Sequence, residues 1–189
     1  MQRKTLFELV ILGALGALGI VVMKNSQSIN DTLSGVFAGS YHWPPESAPY
    51  QSLTESSASA NGVPVALMAA EITQESGWNP SAYNSSSGAS GIAQFEPATA
   101  AGLGVDPMDP NSAIPGMANY LAQLNGSLSA RGYPQWSYTL AAYDWGIGNV
   151  ERALTDQVPP SSWPNETRNY VRIITSASGV DTATAQLFA

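Results

Sequence analysis

The run Val65, Met68, Ala69, Ile72 constrains the fold more than any other feature of this chain. Apolar residues at i, i+3, i+4 and i+7 fall on one stripe of a helix, and that stripe must be covered by other parts of the protein. Val63-Pro64 reads as the start of that helix, because proline in a first turn sacrifices no intrahelical hydrogen bond. Similar reasoning predicts helices over residues 50–60, 97–101, 112–130, 136–143, 147–154 and 164–177. Loops run through Asn79-Pro80 and the Ser85-Ser86-Ser87-Gly88 cluster, and alternating strand patterns are scarce. The expected fold is mainly α.

Composition narrows the chemistry. The 189 residues allow one ordinary domain plus accessory segments, and the 44% hydrophobic content is enough for a packed core. The net charge of -7 argues against a nucleic-acid partner, since phosphate binding needs clustered Lys and Arg. With no cysteine there are no disulfides, thiol nucleophiles or Cys-based zinc sites. The one histidine, His42, lies beside Trp43, Pro44 and Pro45 and reads as a surface residue rather than part of a triad or metal site.

Residues 1–24 read as an N-terminal transmembrane anchor. Arg3 and Lys4 precede a mostly apolar run over residues 6–23, and Lys24 follows it. A helix of that length spans roughly 27 Å, close to the hydrocarbon thickness of a bilayer. No small-x-small cleavage site ends the run, so an uncleaved anchor is expected rather than a signal peptide. The basic flank places the N-terminus in the cytoplasm and the remainder outside. Gly13, Gly16 and Gly19 either let two such helices approach or are simply common membrane-helix residues. Residues 25–48 are rich in Ser, Asn, Gly and Pro and read as a linker, which leaves 49–189 as the folded domain.

Glu75 lies three residues beyond Ile72 and seven beyond Met68, so it projects from the edge of the apolar stripe at the helix C-terminal end. Desolvation and the negative end of the helix dipole both raise the pKa of a carboxyl there. A carboxylic acid protonated near neutral pH is what glycoside cleavage requires, because the leaving oxygen must gain a proton as its bond breaks. On geometry alone the signal is weak, since glutamates near helix ends are usually solvated.

The surrounding residues form a pattern. Glu75-Ser76-Gly77-Trp78-Asn79-Pro80 is followed by Gly91-Ile92-Ala93-Gln94-Phe95-Glu96-Pro97-Ala98-Thr99-Ala100 and then by Ala141-Ala142-Tyr143-Asp144. Pro164-Asn165-Glu166-Thr167-Arg168-Asn169-Tyr170-Val171 closes the series. In order and spacing these resemble the motifs of the soluble lytic transglycosylase family of the lysozyme-like superfamily: Glu-Ser, Gly-Leu-Met-Gln, Ala-Tyr-Asn and Glu-Thr-x-x-Tyr-Val. The loop Leu103-Gly104-Val105-Asp106-Pro107 fits as well, and the resemblance covers roughly residues 49–177.

That resemblance implies a lysozyme-like domain in which Glu75 is the single catalytic acid. It places Gln94 and Tyr143 along the glycan cleft, with Glu166 and Tyr170 shaping it. Ser85 corresponds to a substrate-contacting serine, for which Ser86 and Ser87 compete. The implied substrate is the glycan strand of peptidoglycan, cleaved to a 1,6-anhydro product without metal or organic cofactor. Hydrolysis and a non-catalytic glycan-binding module are the alternatives. The layout suits a phage virion lysin carried with a membrane, or a secretion or pilus assembly factor, and the sequence leaves these open.

Two departures from the family pattern stand out. Ile92-Ala93 replaces Leu-Met, a loss of bulk expected to widen the cleft wall. Asp144 replaces Asn, and either faces the cleft as a substrate-binding acid or caps the helix that begins near Ile147. Ser76 has no base to activate it and reads as structural. Asp106 and Asp109 read as turn residues rather than calcium ligands, and Trp78, Trp136, Trp145 and Trp163 as packing residues.

Overall fold

A computed structural model of the chain describes residues 41–189, and the expected anchor lies outside them. Among the described residues no helix is long and apolar enough to cross a membrane. The elements are helices: α1 (Gln51–Ala60), α2 (Val65–Ser76), α3 (Pro97–Leu103), α4 (Pro110–Ser129), α5 (Trp136–Trp145), α6 (Ile147–Thr155), α7 (Asn165–Ser178) and α8 (Thr182–Ala185). Single 3-10 turns add Pro45–Ser47, Pro160–Ser162 and Gln186–Phe188. Extended pairing among the described residues amounts to two isolated bridges, Tyr83 with Ser90 and Ser90 with Phe95.

The predicted stripe of α2 is buried from Met68 to Ile72, with Val65 half-buried at its start. Leu67, Met68, Ala69 and Ile72 have no accessible surface, and the helix packs against α1 and α7. Pro64 occupies the position before the first helical residue, so the helix starts slightly later than Val63-Pro64 suggested. It stops at Gly77, whose left-handed backbone (φ 58°) turns its amide back to the Thr73 carbonyl. α5 is buried on all sides from Ser137 to Ala142, and it packs against α4, α6 and α7. A helix apolar all round belongs in a domain's interior, and α5 is there.

Two segments depart from expectation. Residues 41–48, assigned to the linker, pack onto the domain instead. The Tyr41 hydroxyl donates to the Ala69 carbonyl at 3.1 Å, Trp43 lies 5.7 Å from Trp78, and Ser47 is fully buried. Polar composition masked two aromatic side chains with enough area to dock. The C-terminal residues after 177, predicted as no element, form α8 and a turn that inserts Phe188 between Tyr138 and Trp163, at 5.8 and 5.4 Å. Asp181 secures this tail by accepting the Ser137 amide at 2.8 Å, at the start of α5.

The loop that carries Gln94 is held against the loop before α4. A Cβ on Gly91, where φ is +74°, would lie 1.6 Å from the Pro107 carbonyl oxygen, so only glycine fits. Asp109 accepts the Asn111 amide at 2.9 Å and caps α4, while Asp106 accepts the Met108 amide at 3.0 Å, so both carboxyls are engaged with backbone. Gly91→Ala is expected to destabilise the domain by at least about 2 kcal/mol in urea unfolding. An unchanged midpoint would mean that the two loops separate freely.

Candidate active site

Three polar side chains meet where α2 packs on α7. Glu71 and Glu75 are one helical turn apart and share a face of α2, and Tyr170 of α7 reaches both. Its hydroxyl lies 3.1 Å from Glu71 Oε1 and makes a very short hydrogen bond with Glu75 Oε1. Glu71 is completely buried and its Oε2 has no hydrogen-bond partner. Glu75 is only partly buried, at the end of the helix.

Burial raises the Glu75 carboxyl from its ordinary 4.5 to about 7. The Tyr170 hydrogen bond opposes that rise and the negative charge of Asp144 adds to it. Burial raises Glu71 well above the carboxylate range, helped by the charge of Glu75 and opposed by Tyr170. Tyr143 and Tyr170 are likewise pushed well above the usual phenol range, first by burial and then by the two glutamates. Among the described residues no cation acts on these carboxyls, and burial shifts both toward the protonated form, Glu75 to a titration at about 7.

Loop and helix ends are tied to this patch by backbone carbonyls. Ser76 Oγ donates to the Ile92 carbonyl at 2.7 Å, and the Tyr143 hydroxyl donates to the Ala93 carbonyl at 2.8 Å. Ser76 thus has the structural role expected of it. Gln94 follows in a left-handed conformation (φ 47°), with its side-chain Nε2 donating to the Gly91 carbonyl at 2.9 Å. Tyr143 also packs on Phe95 and Tyr120, with centroids 6.1 and 5.5 Å away. Ile92 and Ala93 are fully buried, so the loss of bulk there falls in the core and does not widen a cleft wall.

The sequence-derived site residues separate into two groups. Glu75, Tyr170 and Tyr143 act on one another electrostatically and Asp144 acts on Glu75, with Gln94 beside the Ala93 carbonyl that Tyr143 engages. Asp144 does not cap α6, whose N-cap is Gly146 with no side-chain cap. Its carboxyl is raised by burial, drawn down by a hydrogen bond to Thr167 and raised by Glu166, which ties it to the first turn of α7. Glu166 is exposed on that turn. Ser85 and Ser86 are exposed in the turn closed by the Gly88 amide on the Asn84 carbonyl, whereas Ser87 Oγ is occupied by the Ala89 amide at 3.2 Å. Trp78 and Trp163 are core residues, and Trp78 Nε1 donates to Thr73 Oγ1 at 2.8 Å. Sequence reasoning missed Glu71, although Met68, Glu71, Ile72 and Glu75 are themselves spaced i, i+3, i+4, i+7.

Residues 52–163, more than half of the chain, match the family model described as Transglycosylase SLT domain. The chain belongs to this family. Relatives of this SLT-domain chain include the membrane-bound lytic murein transglycosylase F of Serratia proteamaculans, 40% identical over 104 residues, which are 51% of this chain and 21% of that protein. The protein of the same name from Stutzerimonas stutzeri is 31% identical over 136 residues, 68% of this chain and 28% of that one. The SLT chain spans about a fifth to a quarter of the length of these curated relatives.

The raised Glu75 pKa couples the site to stability. Below about pH 4.5 both folded and unfolded chains hold this proton; between 4.5 and about 7 only the folded chain does, so its contribution weakens as pH rises through that window. Glu75→Gln removes the charge that must be buried at high pH. It is expected to stabilise the domain more at pH 8 than at pH 4, by up to about 3 kcal/mol in urea unfolding. Equal effects at the two pH values would mean that Glu75 titrates as an ordinary surface carboxyl.

Proposed function

We propose that this chain is a peptidoglycan lytic transglycosylase acting on the β-1,4 bond between N-acetylmuramic acid and N-acetylglucosamine. The observation that carries the reading is Glu75: a carboxyl at the edge of the core, raised to about 7, in an SLT-family domain. Tyr170 takes Glu75 Oε1, which leaves Oε2 to carry the reactive proton. That proton passes to the glycosidic oxygen as the bond to the muramic acid C1 breaks. The substrate's N-acetyl group stabilises the positive charge that develops, so no second enzyme carboxylate is required as nucleophile. The Glu75 carboxylate then removes the proton from the C6 hydroxyl, whose oxygen closes the 1,6-anhydro ring, and the acid is regenerated.

In this reading Gln94, Tyr143 and Ser85 contact the glycan, and Asp144, Glu166 and Tyr170 form the opposite side of the cleft. Asp144 is the observation that favours a second reading, hydrolysis, because a carboxylate acting on Glu75 can also orient a water. Residues 1–24 serve as the membrane anchor, with the domain on the extracytoplasmic side. Supporting this are the basic flank at Arg3 and Lys4, the apolar run after it and the naming of the relatives as membrane-bound.

Digestion of purified peptidoglycan by the full chain in detergent, with mass analysis of the products, tests the reaction. Anhydro-ended muropeptides are expected, and reducing ends one water heavier would establish hydrolysis instead. Glu75→Gln should lower kcat by on the order of 10²–10⁴-fold. Wild-type activity should fall as pH rises through about 7, as Glu75 loses its proton. Retained activity in Glu75→Gln would remove it as the acid.

A further inference from the structure

Glu71 has no part in the reaction as written, yet a completely buried carboxyl with one oxygen unpartnered is a costly thing to keep. The hydrogen-bond inventory explains what it can do. A phenol has one proton, so Tyr170 can donate to one carboxyl only and must accept from the other. Both contacts exist, at Oε1 of Glu71 and Oε1 of Glu75. One of the two carboxyls therefore holds a proton and points it at the phenol oxygen. Glu71 faces Glu75 along its own helix, Tyr170 from α7 and Tyr143 from α5, with no cation among the groups that act on it.

We propose that Glu71 is a positioning residue: its carboxylic acid donates to the Tyr170 oxygen and so commits the single phenol proton to Glu75. The proposal rests on Glu75 being the acid. Before cleavage, the chain Glu71–Tyr170–Glu75 holds Oε1 of Glu75 as an acceptor and leaves Oε2 to face the substrate. After proton donation, the same directed chain stabilises the Glu75 carboxylate, which then acts as base. Glu71 neither gains nor loses a proton in the cycle. Were it ionised, it would compete for the phenol proton and add a second negative charge beside Glu75. Burial holds it in the protonated form, pushing its titration well above the ordinary carboxylate range.

The test combines substitution with direct observation of the carboxyl. Glu71→Gln retains a donor to Tyr170 and should stay within about threefold of wild-type kcat, with an unchanged alkaline limb. Glu71→Leu leaves the phenol proton on Glu75 but removes the donation that strengthens that bond, and should lower kcat about tenfold at unchanged KM, with the alkaline limb moved to higher pH. Tyr170→Phe should give a similar loss. The Glu71→Leu, Tyr170→Phe double variant should lose no more than Tyr170→Phe alone, because Glu71 acts only through the phenol. In wild type, carboxyl NMR should show Glu71 still protonated while Glu75 titrates, a measurement independent of whether any variant folds. Wild-type kinetics in Glu71→Leu, multiplying losses in the double variant, or a Glu71 carboxylate at pH 6 would each overturn the proposal. An inactive Glu75→Gln alongside any of these would leave the catalytic reading intact, whereas an active one would remove both.

Discussion

Burial of the carboxyl-bearing face of α2 against α7 is the constraint on which the rest of the site depends. Met68 and Ile72 alternate with Glu71 and Glu75 on one helical face, so packing the apolar pair draws both acids out of water. Isolated buried carboxylates would be prohibitively costly, and among the described residues no cation acts on them. The remaining way to keep them is as acids linked by hydrogen bonds, which Tyr170 provides from the facing helix. The elevated titration of Glu75 thus follows from the same packing that folds the domain.

A second set of contacts fixes the neighbouring loop beside that buried pair. The loop between α2 and α3 buries Trp78, Ile92, Ala93 and Phe95 in the core, and its carbonyls fix its position further. Ser76 holds Ile92, Tyr143 holds Ala93, and Gly91 sits so close to Pro107 that no side chain fits. Each anchor comes from a different element: the end of α2, the body of α5 and the loop before α4. Gln94 is consequently presented from a short, left-handed turn whose position is set on three sides. Hydrogen bonds to carbonyls are directional where apolar packing is not, which suits them to placing a functional loop.

Much of this was legible in the residues. Helical spacing located α2, and the placement of Glu75 at the edge of its stripe already implied desolvation. Glu71 was hidden because periodicity was counted in apolar residues only; an acid in a core position reads as an interruption until its partner is known, and that partner lies 99 residues away. The aromatic anchors Tyr41 and Trp43 were obscured by polar neighbours, and Phe188 by a tail too short to show a period. Asp144 was left open for a related reason. Local sequence offers a helix start three residues on, whereas its interaction is with Thr167, on another helix. What local sequence carries is periodicity and caps; pairings between distant polar groups appear only once the chain is folded.

The same distinction bears on why an acid at position 71 is tolerated. An apolar residue there would complete the stripe of α2 and leave no unpartnered oxygen in the core. A carboxyl is retained against that gain, which is the pattern expected where a buried polar group serves function rather than stability. Its depth matters as much as its identity. Glu75, at the edge of the core, titrates at about 7, whereas burial pushes the fully enclosed Glu71 well above the ordinary carboxylate range. Two identical side chains one turn apart thereby have different proton affinities, set by their depth and by the tyrosine between them.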